Sequence, residues 1–110
     1  MGTTENLENM LQELRRGLIM LAVLSQLGKQ QYGYALLKLL AERGLAVDQG
    51  TLYPLLRRLE GQGLLQSAWN VEGGRPRRYY VISSEGKKLL PQLKSEWDGM
   101  VAAMSRLLRS

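Results

Sequence analysis

The chain has 110 residues, an apolar fraction of 45%, a formal net charge of +5 and a pI near 9.8. That length allows one domain with at most a dimerising extension, and that apolar content supports a packed core and argues against disorder. The chain contains neither Cys nor His. This excludes disulfides, thiolate metal sites, Cys nucleophiles, Ser-His triads and the usual zinc enzymes, and it accords with a reducing cytoplasm.

The charge is unevenly distributed. Residues 1–31 hold three acids and three bases, whereas residues 49–82 hold Arg57, Arg58, Arg75, Arg77 and Arg78 against only Glu60 and Glu72. A concentrated basic excess points to a polyanionic partner. Glu72 is expected to weaken the field around its neighbouring arginines. The start, MGTTENLENM, is polar and acidic, unlike a signal peptide, and the apolar run from Gly17 to Leu24 is too short to span a bilayer, so no membrane partner is expected.

Residues 5–27 are expected to form a first helix. Leu7, Met10, Leu11, Leu14, Leu18, Leu21 and Leu24 recur at three- and four-residue steps as one apolar stripe. Thr4 is the expected cap and Gly28 the stop, and the part before Arg16 is expected to project past the core. A second helix over 33–43 has Ala35, Leu36, Leu39 and Leu40 as its apolar positions, with Lys38, Glu42 and Arg43 on the other side, and ends at Gly44. Asp48 caps a third helix running to about Gln62, with Leu52, Leu55, Leu56 and Leu59 inward. Pro54 has no N–H for the Gly50 carbonyl, so an irregular first turn is expected there, or a start near Tyr53.

Two strands follow, Leu64–Trp69 and Tyr79–Ile82, joined through Gly73 and Gly74. Trp69, at a strand end, is expected to be structural, and Tyr79 and Tyr80 to point to opposite faces. Ser83 or Ser84 caps a last helix whose apolar positions run from Leu89 to Leu108. The fold class is therefore mainly α with a small β-hairpin, a winged helix-turn-helix in the order α-α-α-β-β-α. Residues 1–82 are expected as the DNA-binding domain, with the first helix also contributing to a dimer, and residues 83–110 as a C-terminal dimerisation helix.

Several segments occur in order: Tyr32-Gly33-Tyr34-Ala35-Leu36, Gly50-Thr51-Leu52-Tyr53-Pro54-Leu55-Leu56-Arg57-Arg58-Leu59-Glu60, Gly63-Leu64, Gly74-Arg75-Pro76-Arg77-Arg78-Tyr79-Tyr80 and Ser84-Glu85-Gly86-Lys87. Together, over about Tyr32 to Trp97, the chain resembles the PadR family of bacterial transcriptional regulators, in its shorter form with a single C-terminal helix. The resemblance implies a dimeric winged-helix repressor. Its third helix would enter the major groove, its wing would touch the backbone or minor groove, and its last helix would make the dimer. Members of that group often answer to small aromatic or multidrug-like ligands, or to no known ligand.

The residues carry this chemistry independently. Gln49, Gly50, Thr51 and Tyr53 open the third helix, where Gln pairs with adenine, Thr meets a thymine methyl and a bare N–H suits a phosphate. Arg57 and Arg58 lie further along, and one of them is a candidate partner for Glu60 or Glu42. Arg75, Arg77 and Arg78 flank a tip stiffened by Pro76, placed for phosphate contact. Tyr32, Tyr34 and Lys38 can touch the flanking backbone. Leu7, Leu11 and Leu14 on the first helix and Leu90, Leu93, Trp97, Met100, Val101, Met104 and Leu108 on the last form stripes longer than a small domain covers, which points to a homodimer interface, the alternative being that the last helix folds back onto its own domain.

Trp97 beside Met100 and Met104 is a candidate platform for a flat hydrophobic effector, although such a stripe is more often plain interface core. No cofactor or metal is implied, and no nucleophile–base pair or phosphate loop suggests an enzyme. The expected partners are a near-palindromic double-stranded DNA operator, a second copy of the chain and a small hydrophobic effector. The competing reading is a winged-helix module that binds protein and has no specific DNA site.

Overall fold

The computed structural model describes residues 2–110 except for the Glu72 side chain, so the effect expected of Glu72 lies outside the described residues. Four helices and three strands run in the order α1 (Thr3–Gln26), β1 (Gln31–Tyr32), α2 (Gly33–Glu42), α3 (Gln49–Gly61), β2 (Leu65–Asn70), β3 (Arg77–Ile82) and α4 (Ser84–Arg109). The strands form an antiparallel sheet in the order β1-β3-β2. β1 pairs Gln31 with Tyr80 and Tyr32 with Tyr79. Sequence reading misses this strand, because two residues carry no periodicity and only the distant partner defines them.

The core is supplied by Ile19, Val23, Leu24 and Leu27 of the α1 region, Leu36 and Leu40 of α2, four leucines of α3, and Leu65, Tyr80 and Ile82 of the sheet. The expected inward leucines of α3 are all buried. α1 departs from expectation. Of its anticipated stripe only Leu24 is buried, while Leu7, Met10, Leu11 and Leu14 are exposed and Leu18 and Leu21 half-buried. The core instead takes the neighbouring row Ile19, Val23 and Leu27, so α1 carries two apolar faces.

Local signals set most boundaries. Asp48 caps α3, its carboxylate accepting the Thr51 N–H at 2.7 Å and its carbonyl the Leu52 N–H at 3.0 Å. α3 runs without interruption through Pro54, and the irregular start expected there is absent. Pro54 and Gly50 are both exposed, so water can reach the carbonyl that Pro54 leaves without a donor. Thr4 is no cap. α1 begins two residues earlier, with the Asn6 N–H bonded to the Gly2 carbonyl at 3.0 Å. Gly44 and Gly63 follow α2 and α3 with φ of 93° and 81°, the left-handed geometry that suits glycine after a helix.

The hairpin is also tied to α4. The buried Ser83 hydroxyl donates to the Gly63 carbonyl at 2.6 Å and accepts the Gly86 N–H at 3.0 Å. Gly86 packs so closely on the Leu64 carbonyl and Ile82 that a Cβ would collide with both. Beyond that anchor α4 buries none of its large apolar side chains fully. Leu90 and Leu93 lean on the core and the rest of the helix projects, giving extents of 55 × 36 × 24 Å. Among the described residues no helix is long and apolar enough to cross a membrane.

Candidate nucleic-acid interface

The first turn of α3 presents Gln49, Gly50 and Thr51 to solvent. The Thr51 N–H is not bare, however, because Asp48 occupies it. A phosphate approaching this turn meets the Asp48 carboxylate, so the exposed Gln49 amide and Thr51 hydroxyl suit base edges better than the backbone amide suits phosphate. Tyr53 is half-buried rather than free. Its ring lies over Gly33, in space that any Cβ there would fill. This contact locks the start of α2 onto α3 and accounts for glycine between Tyr32 and Tyr34.

One turn on, Arg57 and Arg58 are exposed. Neither takes Glu60, as sequence reading allowed. Glu60 accepts from Arg78 Nη2 at 3.1 Å and from the Ser67 hydroxyl at 2.5 Å, while Arg78 Nε donates to Ser67 Oγ at 3.0 Å. The register explains the choice. Ser67 and Arg78 point to the same face of the hairpin as Leu65 and Tyr80, toward α3. Arg78 therefore joins the hairpin to α3 and is the least free of the wing cations.

The β3 strand begins at Arg77, two residues before the expected start, so Arg77 and Arg78 lie in the sheet and only Arg75 lies in the turn. Gly73 and Gly74 have φ of 68° and 75°, which bends the chain back toward β3. Arg77 sits 4.4 Å from the Tyr32 ring centroid, and that ring meets Tyr79 edge-on at 5.5 Å. Tyr80 is the inward member of its pair. Tyr34 is 55% exposed and Lys38 lies one turn further along the exposed side of α2.

Sequence reasoning missed two features. Trp69 is not structural packing. It is 64% exposed and stands at the mouth of a concavity of about 380 Å³ between α3 and the hairpin. Pairing places it opposite Arg78, on the same face of the hairpin as Leu65 and Tyr80. Arg15 and Arg16 of α1, counted as part of a neutral segment, line a second depression with Asp48 and Thr51. Neither placement has a local signal, since both depend on the packing of distant segments.

A separate apolar surface lies along α1 and the far half of α4. Leu7, Leu11, Leu14, Met100, Val101, Met104 and Leu108 are exposed, Trp97 is 37% exposed, and Leu90 and Leu93 form its inner edge against the core. Leu14, Leu18, Leu21, Leu93, Trp97 and Met100 enclose a groove of about 240 Å³ with Glu96 on its rim.

Residues 20–92 match the sequence profile described as the Transcriptional regulator PadR-like family. The chain is 36% identical over 83 residues to the transcriptional regulator Rv3488 of Mycobacterium tuberculosis, covering 74% of this chain and 78% of that protein. Its fold is similar to the crystal structure of a PadR family transcriptional regulator from Eggerthella lenta. There the TM-score is 0.88 and the identity 43%, with 97% and 96% of the two chains covered. A PadR family regulator from Clostridium difficile aligns with a TM-score of 0.74 and 34% identity over 82% of this chain and 97% of the other.

Proposed function

From the premise that this chain belongs to the PadR-like family of transcriptional regulators, we propose that it is a cytoplasmic, homodimeric repressor that reads a near-palindromic DNA operator. The observation that carries this reading is the shared surface of α3 and the hairpin. Arg57 and Arg58 are exposed on α3, which also carries Gln49 and Thr51, Arg75 is exposed in the hairpin turn, and Glu60 of α3 is held by Arg78 and Ser67. In this reading α3 enters the major groove, Gln49 and Thr51 meet base edges, and Arg75 and Arg77 meet phosphates of the adjoining backbone. Tyr32, Tyr34 and Lys38 border the groove on the α2 side.

The dimer would form through the apolar surface of α1 and α4, because a stripe with Leu7, Leu14, Met100, Met104 and Leu108 in water favours a matching surface. A two-fold arrangement then sets the spacing of two α3 helices and requires an inverted repeat. An effector of flat, hydrophobic shape would bind in the α1–α4 groove against Trp97, altering that spacing. The reading is tested by selecting bound sequences from random duplexes at near-physiological salt. Enrichment of an inverted repeat is the expected result. Weak, salt-sensitive binding without enrichment would instead favour a winged-helix module that acts without a specific site.

A further inference from the structure

We propose that Trp69 is a DNA-contacting side chain, its indole packing on the deoxyribose-phosphate backbone where the duplex crosses between α3 and the hairpin. This rests on the regulator reading above. Trp69 is 64% exposed, although it is among the largest apolar side chains in the protein. It stands in a concavity that it shares with Tyr34, Tyr53, Arg57, Arg77 and Arg78. Among the described residues no acid lines that concavity, and the nearby Glu60 carboxylate is engaged by Arg78 and Ser67. The charge there complements a polyanion.

The chemistry of indole narrows the partner further. Its ring offers an apolar face suited to a sugar edge, and its one polar atom, Nε1, only donates. A sugar-phosphate strand supplies both halves, a C–H surface and a row of acceptor oxygens. Trp69 is also held in advance. Arg78 lies 5.9 Å from its ring centroid and is fixed by Glu60 and Ser67, so the hairpin keeps its distance from α3 before DNA arrives. A side chain already in place loses little freedom on binding.

The test uses the full chain, a selected duplex and a random duplex. Trp69→Ala should bind both about 10-fold more weakly, about 1.4 kcal/mol. The slope of log affinity against log salt should stay unchanged, because no phosphate-bound cation is lost. Trp69→Phe should recover most of the affinity. Tryptophan emission should change when wild-type protein binds DNA, and this change should be absent in Trp69→Phe, where Trp97 remains as the second tryptophan.

Equal affinity of wild type and Trp69→Ala, or an identical emission change in wild type and Trp69→Phe, overturns the proposal. A reduced salt slope in Trp69→Ala also overturns it, since the loss would then come from a displaced arginine. If the wild-type protein binds no duplex even at low salt, the regulator reading fails first and this contact with it. Matching thermal midpoints for wild type and both variants confirm that an exposed residue was changed without unfolding.

Discussion

On the α3–hairpin side of the molecule the functional side chains have defined neighbours. Arg78 reaches Glu60 and Ser67, Arg77 stacks on Tyr32, Tyr53 lies on Gly33, and Asp48 caps the helix that carries Gln49 and Thr51. On the α1–α4 side the outer row of long apolar side chains is largely left in water. Leu14 is 69% exposed, Met100 59% and Leu108 78%. The first surface is finished within one chain, ready to meet a rigid partner with little reordering. The second is finished only when something covers it. A regulator needs both kinds: a rigid reading surface, and a joint that sets how far apart two such surfaces stand.

The largest effect should come from breaking the unfinished side. Met100→Asp with Met104→Asp places two charges on the exposed stripe, where a folded monomer tolerates them in water but a dry interface does not. Sedimentation equilibrium should find a monomer with unchanged helical content. Affinity for a selected inverted repeat should fall by about 100-fold or more, while binding of random duplex changes little, because losing the second half-site removes the avidity that linked sites provide. A dimer that survives both substitutions would place the interface elsewhere.

On the finished side, the wing cations and the helix start should separate in their effects. Arg75→Ala with Arg77→Ala should weaken selected and random DNA alike, by about 10- to 100-fold, and reduce the salt slope by roughly 2, as expected for two lost phosphate contacts. Thr51→Ala should weaken the selected site more than random DNA, by about 1 kcal/mol, and leave the slope alone. Equal losses on both DNAs from both variants would undo this division of labour.

A smaller effect should follow from loosening the tie between the two reading elements. Glu60 and Arg78 are 28% and 40% exposed at the side chain, and they share Ser67. A double-mutant cycle with Glu60→Gln and Arg78→Ala should give a coupling of about 1 kcal/mol in thermal unfolding, the range for a hydrogen-bonded, partly exposed ion pair. Glu60→Gln should weaken DNA binding by about 3-fold although it makes the surface more positive, because the hairpin loses its fixed distance from α3. Tighter binding by this variant would mean that charge at this position outweighs geometry.

How much of this was legible from the residues follows from the range of each interaction. Asp48 as a cap, the buried Leu52, Leu55, Leu56 and Leu59, and the glycines after α2 and α3 depend on neighbours within a few positions, and the structure has them as expected. The ordered segments from Tyr32 to Lys87 identified the family, which the sequence profile and solved relatives bear out. The tie of Glu60 to Arg78 spans 18 positions, and the edge strand at Gln31 exists only through Tyr80, so neither leaves a local trace. A tryptophan at a strand end is usually covered, and nothing near Trp69 in the sequence marks it as 64% exposed. The two faces of α1 were merged because leucines occur on both, and only the packing tells Leu14 from Ile19 and Val23.

The gentlest test of the comparison is a single methyl group. Gly99 lies inside α4, and among the described residues nothing beyond its chain neighbours and the adjoining backbone of its own helix comes within 4 Å of where a Cβ would sit. Glycine inside a helix is destabilising by about 0.5–1 kcal/mol relative to alanine, because it has more backbone freedom to lose on folding. Gly99→Ala should therefore stabilise the monomeric Met100→Asp, Met104→Asp protein by about that amount, read as a rise in thermal midpoint. Two residues from Trp97 and five from Met104, Gly99 lies on the side of α4 away from the row of Trp97, Met100 and Met104, so in a dimer built on that row the gain should be the same. A smaller gain there, or a loss, would measure how closely the partner's helix approaches at Gly99. An equal gain in both backgrounds would leave Gly99 facing water on the side of α4 away from the joint, confining the interface to the row of Trp97, Met100 and Met104.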